Sequence, residues 1–136
     1  MKIHFIDGTV IPSPAANAIQ VFYACQGMQD AGLDVTLFVP ENPAATPETI
    51  ARVYGEAPRF GIVFLRTRRG LARRLPLSLA LLLRYRAAAK ADPDVRYTRN
   101  RTIAAALTGK RIPLVYEAHQ FPAAVGHAER IVAPAR

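Results

Sequence analysis

The sequence predicts an α/β fold, built as a doubly wound and mostly parallel sheet of five to six strands with helices on both faces. Short apolar runs alternate with helix-like segments along the whole chain, which is typical of strand–helix–strand units whose strands pair in parallel. Such strands are covered by helices on both sides and are therefore apolar along their length. The chain has 136 residues, 51% of them hydrophobic, so we expect residues 1–136 to form one domain with a sizeable core.

The first part of the chain reads as one strand–helix–strand unit. Residues 2–6 are an apolar run that we interpret as the first and central strand. Asn17 is predicted to cap a helix that ends near residue 31, where Gly32 suits a left-handed helix stop. Residues 34–39 are predicted to form the second strand. A unit of this length implies that the two strands run in parallel.

The remaining elements continue the alternation. A helix should begin with Thr46 as its cap and Pro47 as its first residue, since this pair is a common helix start. Further helices are predicted from Pro76 to about residue 90 and over residues 100–107. The other strands are predicted at residues 60–65, 94–98, 112–117 and, as a short sixth, 129–133. In this Rossmann-like arrangement the chain reverses direction across the sheet, which should place strands one and four side by side.

Several functional classes are excluded by what the motifs lack. Only Gly8 follows the first strand, so neither a dinucleotide fingerprint nor a nucleotide-triphosphate loop is present. The Cys and His spacing does not resemble a zinc site, and no serine lies in a strand–turn–helix elbow. Cys25 is the single cysteine, which excludes an internal disulfide and indicates a small buried hydrophobe. His4 lies within the first strand and is interpreted as a satisfied core histidine.

The charge is strongly positive, with 18 Lys and Arg against 10 Asp and Glu. Residues 57–91 contain nine of these cations and no acid, and they include a leucine-rich helix. We predict that five arginines form an exposed surface, the basic belt: Arg66, Arg68, Arg69, Arg73 and Arg74. Such a helix can lie on an anionic membrane surface, or it can be a core helix with a solvated arginine face. Nucleic acid is disfavoured as a partner because no aromatic stacking platform accompanies the arginines.

Polar residues follow two neighbouring strands of the predicted sheet. Arg99 and Asn100 follow the fourth strand, and Glu117 and His119 follow the fifth. Ligands of open parallel sheets bind beyond the carboxyl ends of the strands, so these residues predict part of a binding crevice. The loop after the first strand ends at a helix start, where free N–H groups can bind an anion. That loop can equally be a plain connection.

Six segments together resemble the amino-terminal domain of retaining glycosyltransferases of the two-domain GT-B fold, in their order and spacing. They are Lys2–Asp7, Pro12–Val21, Met28–Leu37, Asp94–Asn100, Pro113–His119 and Ala128–Ala133. The resemblance implies a domain that recognises the acceptor, while a second domain binds the nucleotide-sugar and the reaction occurs in the cleft between them.

The resemblance also assigns roles to individual residues. Ser13 and Asn17 would face the donor phosphates or the acceptor, and Arg99 and Asn100 would line the cleft. His119 matches a histidine position near the transferred sugar, which makes it the candidate catalytic residue. With Glu117, these are the predicted site residues; no metal site and no cofactor of the domain itself are predicted.

The chain departs from the family in two ways. We expect the donor-binding domain and its paired glutamates to be absent from these 136 residues, as in a truncated or split enzyme. The segment from His119 to Ala128 is also shorter than the family pattern. We therefore expect an inactive half that needs a donor-binding domain as partner, in the cytoplasm or at a membrane surface. Two alternatives stay open: a non-catalytic binding module of the same fold, and a basic domain for anionic lipid or nucleic acid.

Overall fold

The computed structural model describes residues 1–118, which contain one five-stranded sheet with all strands parallel. The strands are β1 (Lys2–Ile6), β2 (Asp34–Pro40), β3 (Gly61–Leu65), β4 (Val95–Thr98) and β5 (Leu114–Tyr116). The helices are α1 (Ala16–Asp30), α2 (Pro47–Tyr54), α3 (Leu77–Ala88) and α4 (Arg101–Leu107), with a 3₁₀ helix at Gly70–Arg74. The α/β class and the parallel sheet predicted from the sequence are confirmed.

The strand order is β3-β2-β1-β4-β5, so β1 lies at the centre and pairs with both β2 and β4. The chain moves outward from β1 to β3, crosses back over the sheet, and continues outward through β4 and β5. The predicted neighbourhood of strands one and four is therefore confirmed. The connections leave β1 and β4 in opposite directions, and this topology opens a crevice at their carboxyl ends.

The alternation of side chains along β1 divides the core into two layers. Ile3 and Phe5 pack with buried residues of α1 and α2, such as Phe22, on one face of the sheet. Ile6 packs with residues of α3 and α4, such as Leu81, on the other face. Each fully buried side chain of this kind contributes about 1.5–3 kcal/mol to folding. Helices thus cover both faces, as the apolar strands predict.

The two buried groups singled out from the sequence are parts of this core. Cys25 is fully buried among the α1 side chains, and burial raises the pKa of its thiol far above the ordinary value. His4 is also buried, and its Nδ1 lies 2.9 Å from the hydroxyl of Tyr85. Burial is the main cause that lowers the pKa of His4, followed by the positive charges of Lys2 and Arg96. Both predictions are confirmed.

Local signals explain where two of the helices begin and end. The Thr46 hydroxyl accepts a hydrogen bond from the N–H of Thr49 at 3.1 Å, with Pro47 as the first residue of α2. Gly32 follows α1 with a φ of 91°, the left-handed conformation predicted for it. The predicted capping role of Asn17 is wrong. The Ser13 hydroxyl accepts from the N–H of Ala15, and the helix begins directly after Ala15 without a side-chain cap.

Two further expectations concern the end of the chain. The fifth strand was predicted over residues 112–117, but β5 covers only Leu114–Tyr116. The predicted sixth strand at residues 129–133 and the candidate catalytic residue His119 lie outside the described residues. Among residues 1–118, every helix is too short or too polar to cross a membrane.

Candidate functional site

The carboxyl ends of β1 and β4 open into a crevice with a volume of about 450 Å³. It lies at the point where the strand order reverses, the usual ligand position in an open α/β sheet. Its lining combines polar and apolar groups: Asp7, Gly8, Thr9, Asn17, Leu77, Arg99 and Asn100. Three of the six predicted site residues, Asn17, Arg99 and Asn100, are therefore brought together here.

Three helices begin at this crevice. Asn17 belongs to the first turn of α1, Leu77 is the first residue of α3, and Asn100 is the cap of α4. Neither α1 nor α3 has a side-chain cap or an acidic residue in its first turn. Their leading N–H groups therefore keep a partial positive charge. The helix starts favour a ligand that presents oxygen acceptors to this edge of the sheet.

Asn100 is held by hydrogen bonds on both ends of its amide. Its Oδ1 accepts from the N–H of Ile103 at 3.0 Å, which caps α4. Its Nδ2 donates to the hydroxyl of Ser78 in α3 at 2.9 Å, and its backbone N–H donates to Thr98 Oγ1 at 3.0 Å. Asn100 therefore ties α4 to α3 and forms part of the rigid wall of the crevice.

Arg99 joins the end of β4 to the start of α1. Its Nη2 donates to Gln20 Oε1 at 3.0 Å, and its Nη1 donates to the carbonyl of Asn17 at 3.4 Å. Its Nε lies 3.9 Å from Glu117 Oε1, and its side chain is only 10% exposed. The guanidinium is thus held by groups of α1 and by Glu117, and Arg99 lines the crevice.

Glu117 lies behind Arg99 and does not line the crevice. Its Oε2 accepts from the Tyr97 hydroxyl at 2.5 Å, and its backbone N–H donates to the carbonyl of Thr98 at 3.0 Å. Burial, followed by the bond to this carboxylate, raises the pKa of Tyr97 well above the ordinary value. Glu117 therefore positions Arg99 and Tyr97, and its predicted contact with a ligand stays a prediction.

Ser13 also lies away from the residues that line the crevice. Its N–H donates to the Tyr54 hydroxyl at 3.1 Å, and that hydroxyl donates to the Ser13 carbonyl at 3.1 Å. Its own hydroxyl accepts from the N–H of Ala15 at 3.2 Å. Ser13 thus fastens the loop before α1 to the end of α2.

Asp7 is the crevice residue that sequence reasoning missed. It follows β1 directly and is buried, and its Oδ1 accepts from both the N–H and the hydroxyl of Thr9. No salt bridge reaches its carboxylate within residues 1–118. The signal was present in the sequence, since an acid directly after a central strand lies at the ligand edge of a parallel sheet. Asp7 lines the crevice together with Arg99, so one cavity combines a hydrogen-bond acceptor with a donor.

Within residues 1–118, no group of three or more His, Cys, Asp or Glu side chains is placed so that it could hold a metal ion. Comparison with protein-family models gives no match to the chain, and comparison with curated protein sequences gives none either.

Proposed function

We propose that this domain is the acceptor-side half of an enzyme that transfers a sugar from a nucleotide-sugar to an acceptor. The observation that carries the proposal is the crevice at the ends of β1 and β4, which the buried Asp7 lines together with Arg99 and the amides of Asn17 and Asn100. A ligand rich in hydroxyl groups both donates and accepts hydrogen bonds, so it needs such groups close together. The order of sequence segments that resemble GT-B acceptor domains supports the same reading.

The individual groups have distinct places in this proposal. Asp7 accepts a hydrogen bond from an acceptor hydroxyl, and the exposed amide of Asn17 donates or accepts. Leu77 offers an apolar surface to the C–H face of a sugar ring. Arg99 stabilises negative charge at the rim. The candidate catalytic role of His119 stays a prediction, since that residue lies outside the described part of the chain.

The nucleotide-sugar is assigned to a different domain. Binding a nucleotide at the end of β1 requires a glycine-rich loop for close approach of the phosphates, and here only Gly8 follows the strand. The proposed reaction therefore requires a second α/β domain, on this polypeptide or on a partner. In such a cleft the transition state contacts groups from both walls.

A second candidate function is attachment to an anionic membrane surface, and the exposed leucines favour it. Leu71 is 78% exposed and Leu83 is 51% exposed, and both lie among the arginines of residues 57–91. Helix α3 is apolar on its outer side as well as its buried side, which is unusual for a helix facing water. The positive charge of the basic belt, whose five arginines are all exposed, suits anionic lipid as the covering surface.

The acceptor proposal is tested by amide NMR titrations of the isotopically labelled chain. Methyl hexosides and disaccharides should shift the signals of Asp7, Thr9, Arg99 and Asn100, whereas uridine diphosphate should leave them unchanged. Strong shifts with uridine diphosphate at these residues would replace the acceptor role by nucleotide binding. Unchanged signals with every saccharide would favour the non-catalytic binding module.

A matched pair of variants separates the crevice from general charge effects. Arg99→Gln removes the cation that the crevice holds, and Arg101→Gln removes an exposed cation two residues further along. Saccharide-induced shifts should weaken in Arg99→Gln and remain in Arg101→Gln. Equal weakening in both variants would mean that the saccharides do not bind at the crevice.

A further inference from the structure

A second pocket of about 210 Å³ lies beside the crevice, between the end of β1 and the segment that follows β3. It shares Gly8 and Leu77 with the crevice. Two arginines and a threonine provide its polar lining, and the rest is apolar: Gly8, Val10, Pro40, Thr67, Arg68, Arg73, Leu75, Leu77 and Ala80. The pocket is therefore cationic on one side and apolar on the other.

Thr67 has an unpaired hydroxyl in this pocket. The residue is only 4% exposed, and its Oγ1 has no hydrogen-bond partner among the described residues. Its backbone N–H donates a hydrogen bond to the carbonyl of Leu65 at 2.8 Å. Most buried side-chain hydroxyls in proteins are hydrogen-bonded, so this hydroxyl, in a residue that lines the pocket, favours a further hydrogen-bond partner there.

The two arginines of the pocket are also available. Within residues 1–118, no carboxylate lies within 4.0 Å of Arg68 or Arg73, whereas the neighbouring Arg69 lies 3.8 Å from Glu41. The pocket thus has a net positive charge without an internal counter-ion among the residues described.

We propose that this pocket binds a phosphate group. Arg68 and Arg73 would donate charge-assisted hydrogen bonds to its oxygens, and the Thr67 hydroxyl would donate one more. A phosphate presents several acceptor oxygens in different directions, which suits three donor residues that line one small pocket. The apolar wall formed by Val10 and Leu75 suits the carbon skeleton attached to the phosphate.

The inference is independent of sugar transfer, since it concerns binding alone. The phosphate has two possible sources with the same chemistry: a soluble phosphorylated molecule or the headgroup of a lipid. Leu75 is compatible with both sources, because it lines the pocket and is also one of the exposed leucines that could contact a lipid.

The test uses the full chain and compares two adjacent arginines of the 3₁₀ helix. Arg73→Gln removes a cation that lines the pocket, and Arg74→Gln removes an exposed cation that does not line it. Binding of inorganic phosphate and of glycerol phosphate is measured by calorimetry, with chloride keeping the ionic strength constant. We expect Arg73→Gln to weaken binding by at least about tenfold and Arg74→Gln by less than about threefold, since one lost charge-assisted hydrogen bond has that size of effect.

A second comparison uses two replacements of Thr67, of which one keeps the hydroxyl and the other removes it. Thr67→Val keeps the shape and removes the hydroxyl, and it should weaken phosphate binding. Thr67→Ser keeps the hydroxyl and should retain most of the binding. Circular dichroism of each variant confirms that it has folded, and the Ser variant keeps the test valid if the Val variant does not fold.

Vesicles distinguish the two sources of phosphate. Sedimentation with phosphatidic acid vesicles is compared with calorimetry on glycerol phosphate. Glycerol phosphate binding that is lost in Arg73→Gln identifies a soluble ligand, and binding to vesicles alone with the same loss identifies a lipid headgroup. The proposal is overturned if neither probe binds, if Arg73→Gln and Arg74→Gln lose binding equally, or if Thr67→Val binds as well as the natural chain.

Discussion

Replacing Asn100 by alanine removes two hydrogen bonds that hold the crevice wall together. The first is the cap of α4, from the Ile103 N–H to Asn100 Oδ1 at 3.0 Å, and losing such a cap costs about 1 kcal/mol. The second is the bond from Asn100 Nδ2 to Ser78 at 2.9 Å, which contributes about another 1 kcal/mol. We therefore expect Asn100→Ala to lower the free energy of unfolding by about 2 kcal/mol.

Asn100→Asp is the matched control for this prediction. A carboxylate keeps the acceptor for the Ile103 N–H, and its negative charge is favourable at the start of α4. The Ser78 hydroxyl can rotate to donate to the carboxylate, so the link to α3 is retained. The Asp variant should therefore lose less than about 1 kcal/mol.

Urea denaturation followed by circular dichroism measures both free energies, and a double-mutant cycle with Ser78→Ala isolates the second bond. The cycle should give a coupling energy of about 1 kcal/mol between Asn100 and Ser78. The reasoning is refuted if Asn100→Ala costs less than about 0.5 kcal/mol, or if the Asp and Ala variants lose the same amount. A variant with unchanged stability and lost saccharide binding would instead make Asn100 a ligand-binding residue.

Three further predictions concern other parts of the molecule. Because His4 is buried with a lowered pKa, its contribution to stability is present above the unfolded pKa of about 6.5 and is lost as pH falls below it. On acidification, the urea midpoint of the natural chain should therefore fall more steeply than that of His4→Gln, and parallel curves would contradict this. If the outer side of α3 contacts anionic lipid, binding to phosphatidylserine vesicles, measured by sedimentation, should weaken with added salt and in the double variant Leu79→Ser, Leu83→Ser. Equal binding to neutral vesicles would contradict this prediction. The 136-residue chain alone should not transfer sugar from nucleotide-sugars in a product assay, because the proposed reaction needs groups from both walls of a two-domain cleft. Clear transfer or donor hydrolysis would show that a second domain is unnecessary.

The sequence predicted the parts of the fold that depend on local chemistry. The bounds of β1 match the predicted run of residues 2–6, because every residue of that run after Lys2 is buried in the centre of the sheet. The start of α2 was also predicted, since Thr46 and Pro47 form a cap and a first turn without help from distant residues. The order of β1 and β4 followed from the alternation of strands and helices and the reversal it requires.

The errors occur where tertiary contacts decide. Asn17 has the chemistry of a helix cap, but the turn made by Ser13 begins α1 earlier. For Ser13, the sequence did not reveal that the Tyr54 hydroxyl of α2 holds its backbone, and its contact with a ligand stays a prediction. Strand β5 is shorter than the predicted run, since its pairing with β4 covers only residues 114–116, and β4 is its one strand partner among residues 1–118. The unpaired hydroxyl of Thr67 is a property of the folded pocket, which no sequence pattern reveals.

The proposed binding of a saccharide and the proposed binding of a phosphate are compatible because the crevice and the phosphate pocket are contiguous. Leu77 lines the crevice and the phosphate pocket, and Leu75 lines the pocket while 39% of its own surface is exposed. Gly8 lies between the two cavities, and a Cβ added there would meet Leu81 Cδ1 at 3.5 Å and Leu77 Cδ2 at 3.6 Å. Those are ordinary contact distances, so the glycine keeps open space beside α3 where a larger residue would begin to fill it. The groups proposed to bind hydroxyls and phosphate, and the exposed apolar groups, therefore lie in adjoining cavities, and one ligand that carries all three chemistries could contact each of them.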